Sequence, residues 1–291
     1  MAVVVLDLEW NGAYCKKTGG FFNEIIEIGA VRLNDNFTIA ARFDAVIRPC
    51  INRKLTRWVS ELTGYTDEQM KGGTTFTAAM ERFHTFAGDA PVLLTWSTTD
   101  LLVLMENCRY YYGDDRIPNA AGYMDLQAYA QQRMQLGTAQ QVGLSKFADL
   151  LGMPSDMLEL HHAIDDSVLS AQILGRVYEK TSFDAAIRPM NEDFYKRLTF
   201  KPSIVKELDD PAVKKEKFVF HCPKCRKTLK ETGQWRFFHN RFNAPLQCPV
   251  CRGEFFGRVQ VRLTFDGPVT KRSLAPKKPK ETEEATKKEA P

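Results

Sequence analysis

Two carboxylates lie at the end of an apolar run close to the start of the sequence. The run Val3–Glu9 is rich in β-branched residues and predicts a buried central strand. Side chains alternate along a strand, so Asp7 and Glu9 emerge on one face and Leu6 and Leu8 on the other. Like charges held side by side at a buried strand end repel one another and resist desolvation. The pair therefore indicates a positive charge nearby, and a divalent metal ion is the usual partner.

Two later segments carry groups of matching chemistry. Asp100 opens a predicted helix, and Asp166 lies in the first turn of another helix, five positions after His161. Carboxylate oxygens suit Mg²⁺ or Mn²⁺, and two such ions about 3.5–4 Å apart stabilise the attacking and leaving oxygens of a phosphodiester. A neutral histidine can accept a proton from the attacking water. Each segment alone is commonplace, since a helix-opening acid is usually a cap, but together they predict metal-assisted phosphodiester hydrolysis.

The elements that must position these groups follow from periodicity and turn residues. After the strand that carries Asp7 and Glu9, further strands are predicted at 24–33, 37–47 and 92–96. Turn residues at 34–36 join the second and third strands, so the first three strands of the chain form an antiparallel meander. Helical patterns occupy 74–87, 100–112, 124–135, 144–151 and 165–180. We expect an α/β fold with a mixed sheet flanked by helices.

Length and charge divide the chain into two parts. Its 291 residues, 44% of them apolar and 26% charged, suffice for one sizeable domain and a smaller one. Residues 1–180 hold 16 basic and 22 acidic side chains, whereas residues 181–291 hold 24 basic and 14 acidic ones. This asymmetry favours catalytic carboxylates in one module and polyanion binding in the other. Ordinary variation in surface charge is the alternative. We expect a cytoplasmic protein, because neither a signal peptide nor a long apolar span is recognisable.

Four of the seven cysteines form a metal-ligand pattern. Cys222 and Cys225 belong to one Cys-Pro-x-Cys motif, and Cys248 and Cys251 form a second motif after a gap of 22 residues. Two matched pairs at this spacing indicate one structural Zn²⁺ in a closed tetrahedral site. A redox function is disfavoured, because neither pair lies in a thioredoxin-like βαβ context. After the second motif, apolar residues alternate with basic or polar residues over 258–265, which predicts a β-strand. The expected fold therefore includes a small β-rich zinc ribbon.

Aromatic and basic residues alternate within this ribbon. The segment 234–242 is predicted as a strand, and its candidate nucleic-acid contacts are Trp235, Arg236, Phe238 and Arg241. Between residues 214 and 272 there are 14 basic and 4 acidic side chains. We therefore expect the ribbon to bind nucleic acid, with protein docking as the alternative.

Composition sets the expected boundaries. The catalytic domain covers 1–180, a polar, proline-containing linker covers 181–217 with one short helix near 191–199, and the ribbon covers 218–266. The tail at 267–291 is rich in Lys, Glu and Pro and is expected to be disordered.

The acidic motifs resemble those of the DEDDh 3′→5′ exonucleases of the ribonuclease H-like superfamily. The resemblance spans residues 1–180 and rests on the segments 7–9, 24–31, 96–100 and 161–166. It implies that two Mg²⁺ or Mn²⁺ ions are held by Asp7, Glu9, Asp100 and Asp166. It also implies that His161, five residues before the last acid, is the general base. The neighbouring His162 and Asp165 are interpreted as structural, although Asp165 could orient a metal ligand from outside the site.

A finer likeness concerns the branch whose members trim histone mRNA, ribosomal RNA and small RNAs. The segments 52–56 and 62–65 resemble that branch, with Arg53 in place of its usual proline, and the Asp-Leu-Glu-Trp-Asn opening is typical of bacterial members. This favours single-stranded RNA as the substrate, with a DNA exonuclease or a regulatory binding protein of weak activity as alternatives. Trp10 lies beside the acids and either stacks on the terminal base or packs under the sheet.

Overall fold

The computed structural model describes residues 2–137, 140–153 and 161–276. The chain divides into two compact units, an N-terminal unit of Met1–Thr199 and a C-terminal unit of Phe200–Pro291. Within the described ranges, no helix is both long and apolar enough to cross a membrane.

A mixed sheet forms the centre of the N-terminal unit. Its strands are β1 (Val3–Cys15), β2 (Gly20–Leu33), β3 (Ile39–Val46), β4 (Val92–Thr95), β5 (Gly122–Asp125) and β6 (Arg188–Pro189). Their spatial order is β3-β2-β1-β4-β5-β6; β1, β4 and β5 are mutually parallel and the other neighbours are antiparallel. The predicted meander and the mixed α/β architecture are confirmed.

Helices cover both faces of this sheet. They are α1 (Arg57–Thr63), α2 (Asp67–Lys71), α3 (Phe76–Ala87), α4 (Thr99–Tyr112), α5 (Leu126–Arg133), α6 (Leu144–Leu150), α7 (Ala163–Val177), α8 (Lys180–Ala186) and α9 (Glu192–Thr199). One core cluster joins the sheet to α3, α4 and α9, and a second joins it to α5, α6, α7 and α8. The short helix α2 begins with a capping box, in which Thr66 and Gln69 satisfy each other's backbone N–H groups.

A bulge interrupts the pairing of β1 with β2 directly after the predicted acids. Glu9 pairs with Glu27, whereas Trp10 pairs with Ile25, so Ile26 is an extra residue in β2. A bulge of this kind increases the local twist and redirects side chains. The regular ladder that carries the acids therefore ends at Glu9.

Two expected boundaries in the N-terminal unit differ from the structure. Residues 181–199, expected to begin a linker, instead belong to this unit, where Phe183 of α8 and Phe194 of α9 are buried in its core. The predicted short helix near 191–199 corresponds to α9. The predicted helix at 124–135 begins as strand β5, which is only four residues long. Segments this short carry too few apolar residues for a periodic pattern.

Antiparallel strands form the C-terminal unit, as expected of a ribbon. They are β7 (Ser203–Ile204), β8 (Lys230–Glu231), β9 (Arg236–Phe238), β10 (Arg241–Gln247), β11 (Glu254–Thr264) and β12 (Gly267–Pro276). The spatial order is β12-β11-β10-β8, with β7 paired to β11 and β9 paired to β10. Phe242, Val259 and Val261 are fully buried in a separate core beneath this sheet.

Three predictions for this unit need correction. Residues 200–217, expected as linker, belong to the unit, because β7 pairs with β11 and Val205 is buried in its core. The tail was expected from residue 267, but β12 pairs with β11 along its whole length, so the sheet extends to Pro276. The remaining tail residues, 277–291, lie outside the described residues. The segment 234–242 is a hairpin rather than one strand, because the chain reverses at His239 and Asn240, both of which have positive φ angles.

Candidate functional site

The end of strand β1 presents the two carboxylates on the expected side of the sheet. Leu6 and Leu8 point into the core cluster beneath α3 and α4. Asp7 and Glu9 lie on the opposite side and are half-buried. Trp10 packs against the same core as the leucines and is also half-buried, which corresponds to the packing alternative considered for this residue.

Helix α4 brings Asp100 to the end of β1. Strands β1 and β4 are parallel neighbours, so the segment that follows β4 emerges at the edge where β1 carries its acids. Asp100 lies in the first turn of α4 and is only 6% exposed. Its Oδ1 accepts a hydrogen bond of 3.2 Å from the backbone N–H of Leu8. This bond fixes the Asp100 carboxylate against the strand between the two β1 acids.

Helix α7 contributes the third part of the site. Ligand atoms of Glu9, His161 and Asp166 all lie within 4.8 Å of one another. His161 is exposed and has a φ of 77°, a backbone conformation that is uncommon for a residue with a side chain. The Oδ1 of Asp166 is buried and has no hydrogen-bond partner among the described residues. A buried oxygen in this condition needs a cation or a donor.

A glycine in β2 allows α7 to approach the sheet this closely. A Cβ atom at Gly29 would lie 2.0 Å from the carbonyl carbon of Ala163, the first residue of α7. The hydroxyl of Ser167 also donates a hydrogen bond of 2.8 Å to the carbonyl oxygen of Gly29. The contact places the start of α7, with Asp166, directly over the strand pair that carries the acids.

Burial of the acids and their closeness to one another raise their pKa values. Burial, and then the charges of Glu27, Asp166 and Asp100, together raise the pKa of Glu9 to about 8. Burial and the charge of Asp166 raise the pKa of Asp100 to about 7, although hydrogen bonds from backbone N–H groups oppose the shift. The pKa of Asp7 lies well above its usual value because of burial and then the charges of Asp100 and Asp166. A bound cation would reverse these shifts, because it stabilises the ionised carboxylates.

Glu27 is a fifth acid that the sequence interpretation did not assign to the site. It pairs directly with Glu9 across the β1–β2 ladder and is fully buried. Its Oε2 lies 3.7 Å from Nδ1 of His162, and the His162 ring packs edge-on against Tyr65 at 5.0 Å. Burial raises the pKa of Glu27 to about 7. The signal in the sequence was a carboxylate inside the otherwise apolar stretch 25–31.

The acid cluster fits a divalent cation. Asp7, Glu9, Asp100 and Asp166 offer hard oxygen ligands around one strand end, and the unpartnered Oδ1 of Asp166 is a donor atom that a cation would satisfy. The histidine within 4.8 Å of two of these acids is His161, whereas His162 faces Glu27. The structure thus brings together the five residues predicted from the sequence, and their catalytic roles stay predictions.

The four cysteines of the C-terminal unit converge in a second site. All four Sγ atoms lie within 4.8 Å of one another, with 3.4 Å between Cys222 and Cys251 and 3.3 Å between Cys225 and Cys248. Burial opposes ionisation of Cys248, but backbone N–H groups of the second motif lower its pKa to about 6. Four thiolates in this arrangement are the ligand set of a structural zinc site.

The two cysteine motifs have the same local geometry. The residue after each motif, Arg226 or Arg252, has a positive φ angle and donates its backbone N–H to the carbonyl oxygen of the first cysteine. These turns direct both sulphur atoms of each motif towards the opposite pair. The geometry supports a single closed site with all four cysteines as ligands.

The predicted nucleic-acid contacts of the ribbon fall into two groups in the structure, one packed against the core and one facing away from it. Trp235 packs against Phe218 and Phe220 and donates its indole N–H to Glu231, so it serves mainly as core packing. Phe238 and Arg241 pair with each other across the β9–β10 hairpin and face away from that core, as does Arg236.

Comparison with known proteins identifies relatives of the N-terminal unit. The exonuclease family model RNase T matches residues 4–174. A PolC-type DNA polymerase III from Halalkalibacterium halodurans is 34% identical over 98 residues, which is 34% of this chain and 6% of that protein. The enzyme of the same name from Clostridium perfringens is 27% identical over 202 residues, 68% of this chain and 13% of the relative. The chain thus spans only a small part of the length of these relatives.

Solved structures share the fold. The nuclease domain of 3′hExo, a DEDDh family member bound to rAMP, aligns with a TM-score of 0.54 and 23% identity, covering 65% of this chain and 96% of that one. A second structure, described as the 3′-end specific recognition of histone mRNA stem-loop by a 3′-exonuclease, aligns with a TM-score of 0.51 and 21% identity. The alignment covers 66% of this chain and 91% of that one. The family match covers more than half of the sequence and includes the acids of β1, α4 and α7. The chain therefore belongs to the RNase T family of exonucleases, with the ribonuclease H-like fold of the DEDDh enzymes.

Proposed function

We propose that this protein is a metal-dependent 3′→5′ exonuclease that removes nucleotides from single-stranded RNA ends. The observation that carries the proposal is the convergence of Glu9, His161 and Asp166 within 4.8 Å, next to Asp7 and Asp100. Two Mg²⁺ or Mn²⁺ ions bound there would activate water and stabilise the charge that develops on the phosphodiester oxygens.

The residues of the chain have separate tasks in this proposal. Asp7, Glu9, Asp100 and Asp166 hold the ions, and the hydrogen bond from Leu8 keeps Asp100 oriented towards them. His161 accepts the proton of the attacking water, because its ring is exposed and lies beside two of the acids.

RNA is favoured as the substrate by the resemblance of segments 52–56 and 62–65 to RNA-trimming enzymes. The solved neighbours are named for rAMP and a histone mRNA stem-loop, which agrees with this choice. DNA is the second candidate, because the curated relatives are DNA polymerases. Cysteines kept as metal ligands rather than disulfides are typical of reducing compartments, so we infer a cytoplasmic location.

Cleavage of labelled single strands tests the proposal. RNA and DNA oligonucleotides of one sequence are incubated with Mg²⁺ and the products are resolved by length. We expect stepwise shortening from the 3′ end, faster for RNA. Faster DNA cleavage would assign the enzyme to DNA, and no cleavage of either would favour a regulatory binding protein.

Matched variants in the first turn of α7 test the site. Asp166→Asn should lower the rate by at least about 100-fold, because even outer-shell changes at metal sites cost 10–100-fold. Asp165→Asn removes the same charge from the adjacent position and should retain most of the activity. Equal rates for the two variants would show that the ligands are misassigned. Thermal melting of both variants checks that the fold is intact.

We further propose that the C-terminal unit binds one structural Zn²⁺ through Cys222, Cys225, Cys248 and Cys251 and uses its basic surface to hold the nucleic-acid substrate. The support is the closed cluster of four sulphur atoms and the excess of 14 basic over 4 acidic residues between 214 and 272. A protein-docking ribbon is the alternative.

A further inference from the structure

The sheet of the C-terminal unit has two chemically different faces. Phe242, Val259 and Val261 point to the buried core. The residues that alternate with them point to the other side, and four of these are the cations Arg241, Arg258, Arg262 and Lys271. This outer side of β9, β10, β11 and β12 is called the cationic face.

A shallow cavity lies on the cationic face. Its volume is about 290 Å³, and it is lined by Arg241, Arg258, Gln260, Lys271, Arg272 and Ser273. Arg272 pairs with the core-facing Val259, so its guanidinium points to the other side of the sheet. The cations of the lining that belong to the cationic face are therefore Arg241, Arg258 and Lys271, beside two neutral polar side chains and no carboxylate. Charges of one sign gathered on a sheet repel each other unless an anion is bound, so the cavity is complementary to phosphate groups.

Backbone contacts hold part of the cationic face in place. Nε of Arg241 donates to the carbonyl oxygen of His239, and Gln260 donates to that of Asn240. The hairpin turn and its neighbouring strands therefore fix these side chains before any ligand arrives, which lowers the entropy cost of binding.

An exposed aromatic ring adjoins these cations. Phe238 pairs with Arg241 across the β9–β10 ladder and is 47% exposed, which is unusual for a phenylalanine. Paired residues of antiparallel strands point to the same side, so this ring lies at the edge of the cationic face. A flat ring next to cations matches the repeating chemistry of a single strand, in which bases alternate with phosphates.

We infer that the cationic face binds single-stranded nucleic acid, with phosphates at Arg241, Arg258 and Lys271 and a base stacked on Phe238. This inference deepens the proposed function and rests on it, because it assigns a defined surface to the same substrate. An acidic polypeptide is the competing occupant, but it offers no base to stack on Phe238.

Binding by the full-length, zinc-loaded protein tests the inference. Fluorescence anisotropy with a labelled 20-nucleotide RNA is measured at several salt concentrations, in the Asp166→Asn background so that the probe stays intact. The double variant Arg258→Ala/Lys271→Ala should raise Kd by about tenfold or more. It should also reduce the slope of log K against log salt by about 1.4, which corresponds to two lost contacts on a single strand. Phe238→Ala should weaken binding by about fivefold or more with little change in slope.

A charge-matched control separates this face from general basicity. Lys224→Ala/Lys227→Ala removes two exposed cations near the cysteine motifs and should leave Kd within about twofold. Zinc content and melting temperature verify that each variant is folded. Equal losses in both double variants, or no loss in either, would overturn the inference. The inference would also be overturned if the protein bound polyglutamate as tightly as RNA and Phe238→Ala left that binding unaffected.

Cleavage by the same variants in an otherwise wild-type background keeps the two proposals distinguishable. If the wild-type protein degrades RNA while the cationic-face variants bind it normally, the inference fails and the exonuclease assignment stands. If the variants lose binding but the wild-type protein cleaves neither nucleic acid, the cationic face is supported and the proposed activity fails.

Discussion

Charge repulsion acts among the four clustered carboxylates of the metal-free protein, those of Asp7, Glu9, Asp100 and Asp166. Their folded-state pKa values are raised, to about 8 for Glu9 and about 7 for Asp100. Between the unfolded pKa of about 4 and these values the folded protein holds more protons than the unfolded chain. Stability of the metal-free protein should therefore fall as pH rises from about 4 to 8.

Replacing Asp100 by Asn should relieve this charge repulsion. The variant keeps the oxygen that accepts the Leu8 N–H and removes one buried charge. At pH 8 without divalent metal, we expect its free energy of unfolding to increase by about 1–3 kcal/mol while hydrolysis is lost. Urea denaturation of both proteins at pH 5 and pH 8 measures the effect, which should shrink at the lower pH. A variant less stable than wild type at pH 8 would contradict the electrostatic explanation.

At this scale the sequence was informative because residue type and order are local properties. The acids, His161 and the four cysteines could be named from the chain alone, and the structure brings each set together. Glu27 could not be assigned, because its burial depends on how α7 covers β2. The packing of Trp235 could not be predicted for a similar reason, because only the folded core shows that Phe218 and Phe220 lie against its ring; its nucleic-acid contact stays a prediction.

The contact between β2 and α7 determines where Asp166 lies. Gly29→Ala would insert a Cβ 2.0 Å from the backbone of Ala163, which must move. We expect a loss of stability of about 1–3 kcal/mol, typical of overpacking, and a lower kcat because the first turn of α7 shifts. Thermal melting and steady-state kinetics measure the two effects.

The control for this prediction lies in the same helix. Gly175 is exposed, and a Cβ there meets no atom within 4 Å. Gly175→Ala should therefore stabilise the protein by about 0.5–1 kcal/mol and leave the rate unchanged, because alanine is the better helix former. Equal effects of the two alanines would mean that Gly29 has no positioning role.

Long periodic elements were predictable, and short or reversing ones were not. Strands β1, β2 and β3 and helices α3, α4 and α7 follow clear patterns, with errors mainly at their ends. The hairpin at His239 and Asn240 was missed because its aromatic residues suggested a continuous strand. Strand β12 was assigned to the tail because its exposed residues look like a polar segment, although it is held by pairing with β11.

The two units have separate cores, so they should respond differently to metal removal. Core clusters of the N-terminal unit contain no residue of the C-terminal unit, whose small core surrounds Cys222 and Cys248. In so small a unit, the zinc ion that we propose for the cysteine site would supply much of the folding free energy. We therefore expect two separate unfolding transitions, one for each unit.

Cys222→Ser/Cys248→Ser tests this independence. We expect the zinc content to fall to zero and the calorimetric transition of the C-terminal unit to disappear, with a change in the fluorescence of the half-buried Trp235. The transition of the N-terminal unit should remain, and cleavage of short RNA should persist. Loss of both transitions would show that the units do not fold separately.

The bulge at Ile26 separates two parts of the β1–β2 hairpin that differ in how freely they can change length. Before the bulge, the ladder from Val3 to Glu9 is regular, and a shift of one residue there would turn the acids to the wrong side. Beyond it, the hairpin ends in exposed residues such as Tyr14 and Phe21. The turn at 16–19 is exposed throughout, whereas Asn11 and Glu24 in the same part are buried and hydrogen-bonded. Insertions or deletions in the turn change only the local loop, so natural variants of this chain should differ in length there while the spacing between Asp7 and Glu9 stays constant.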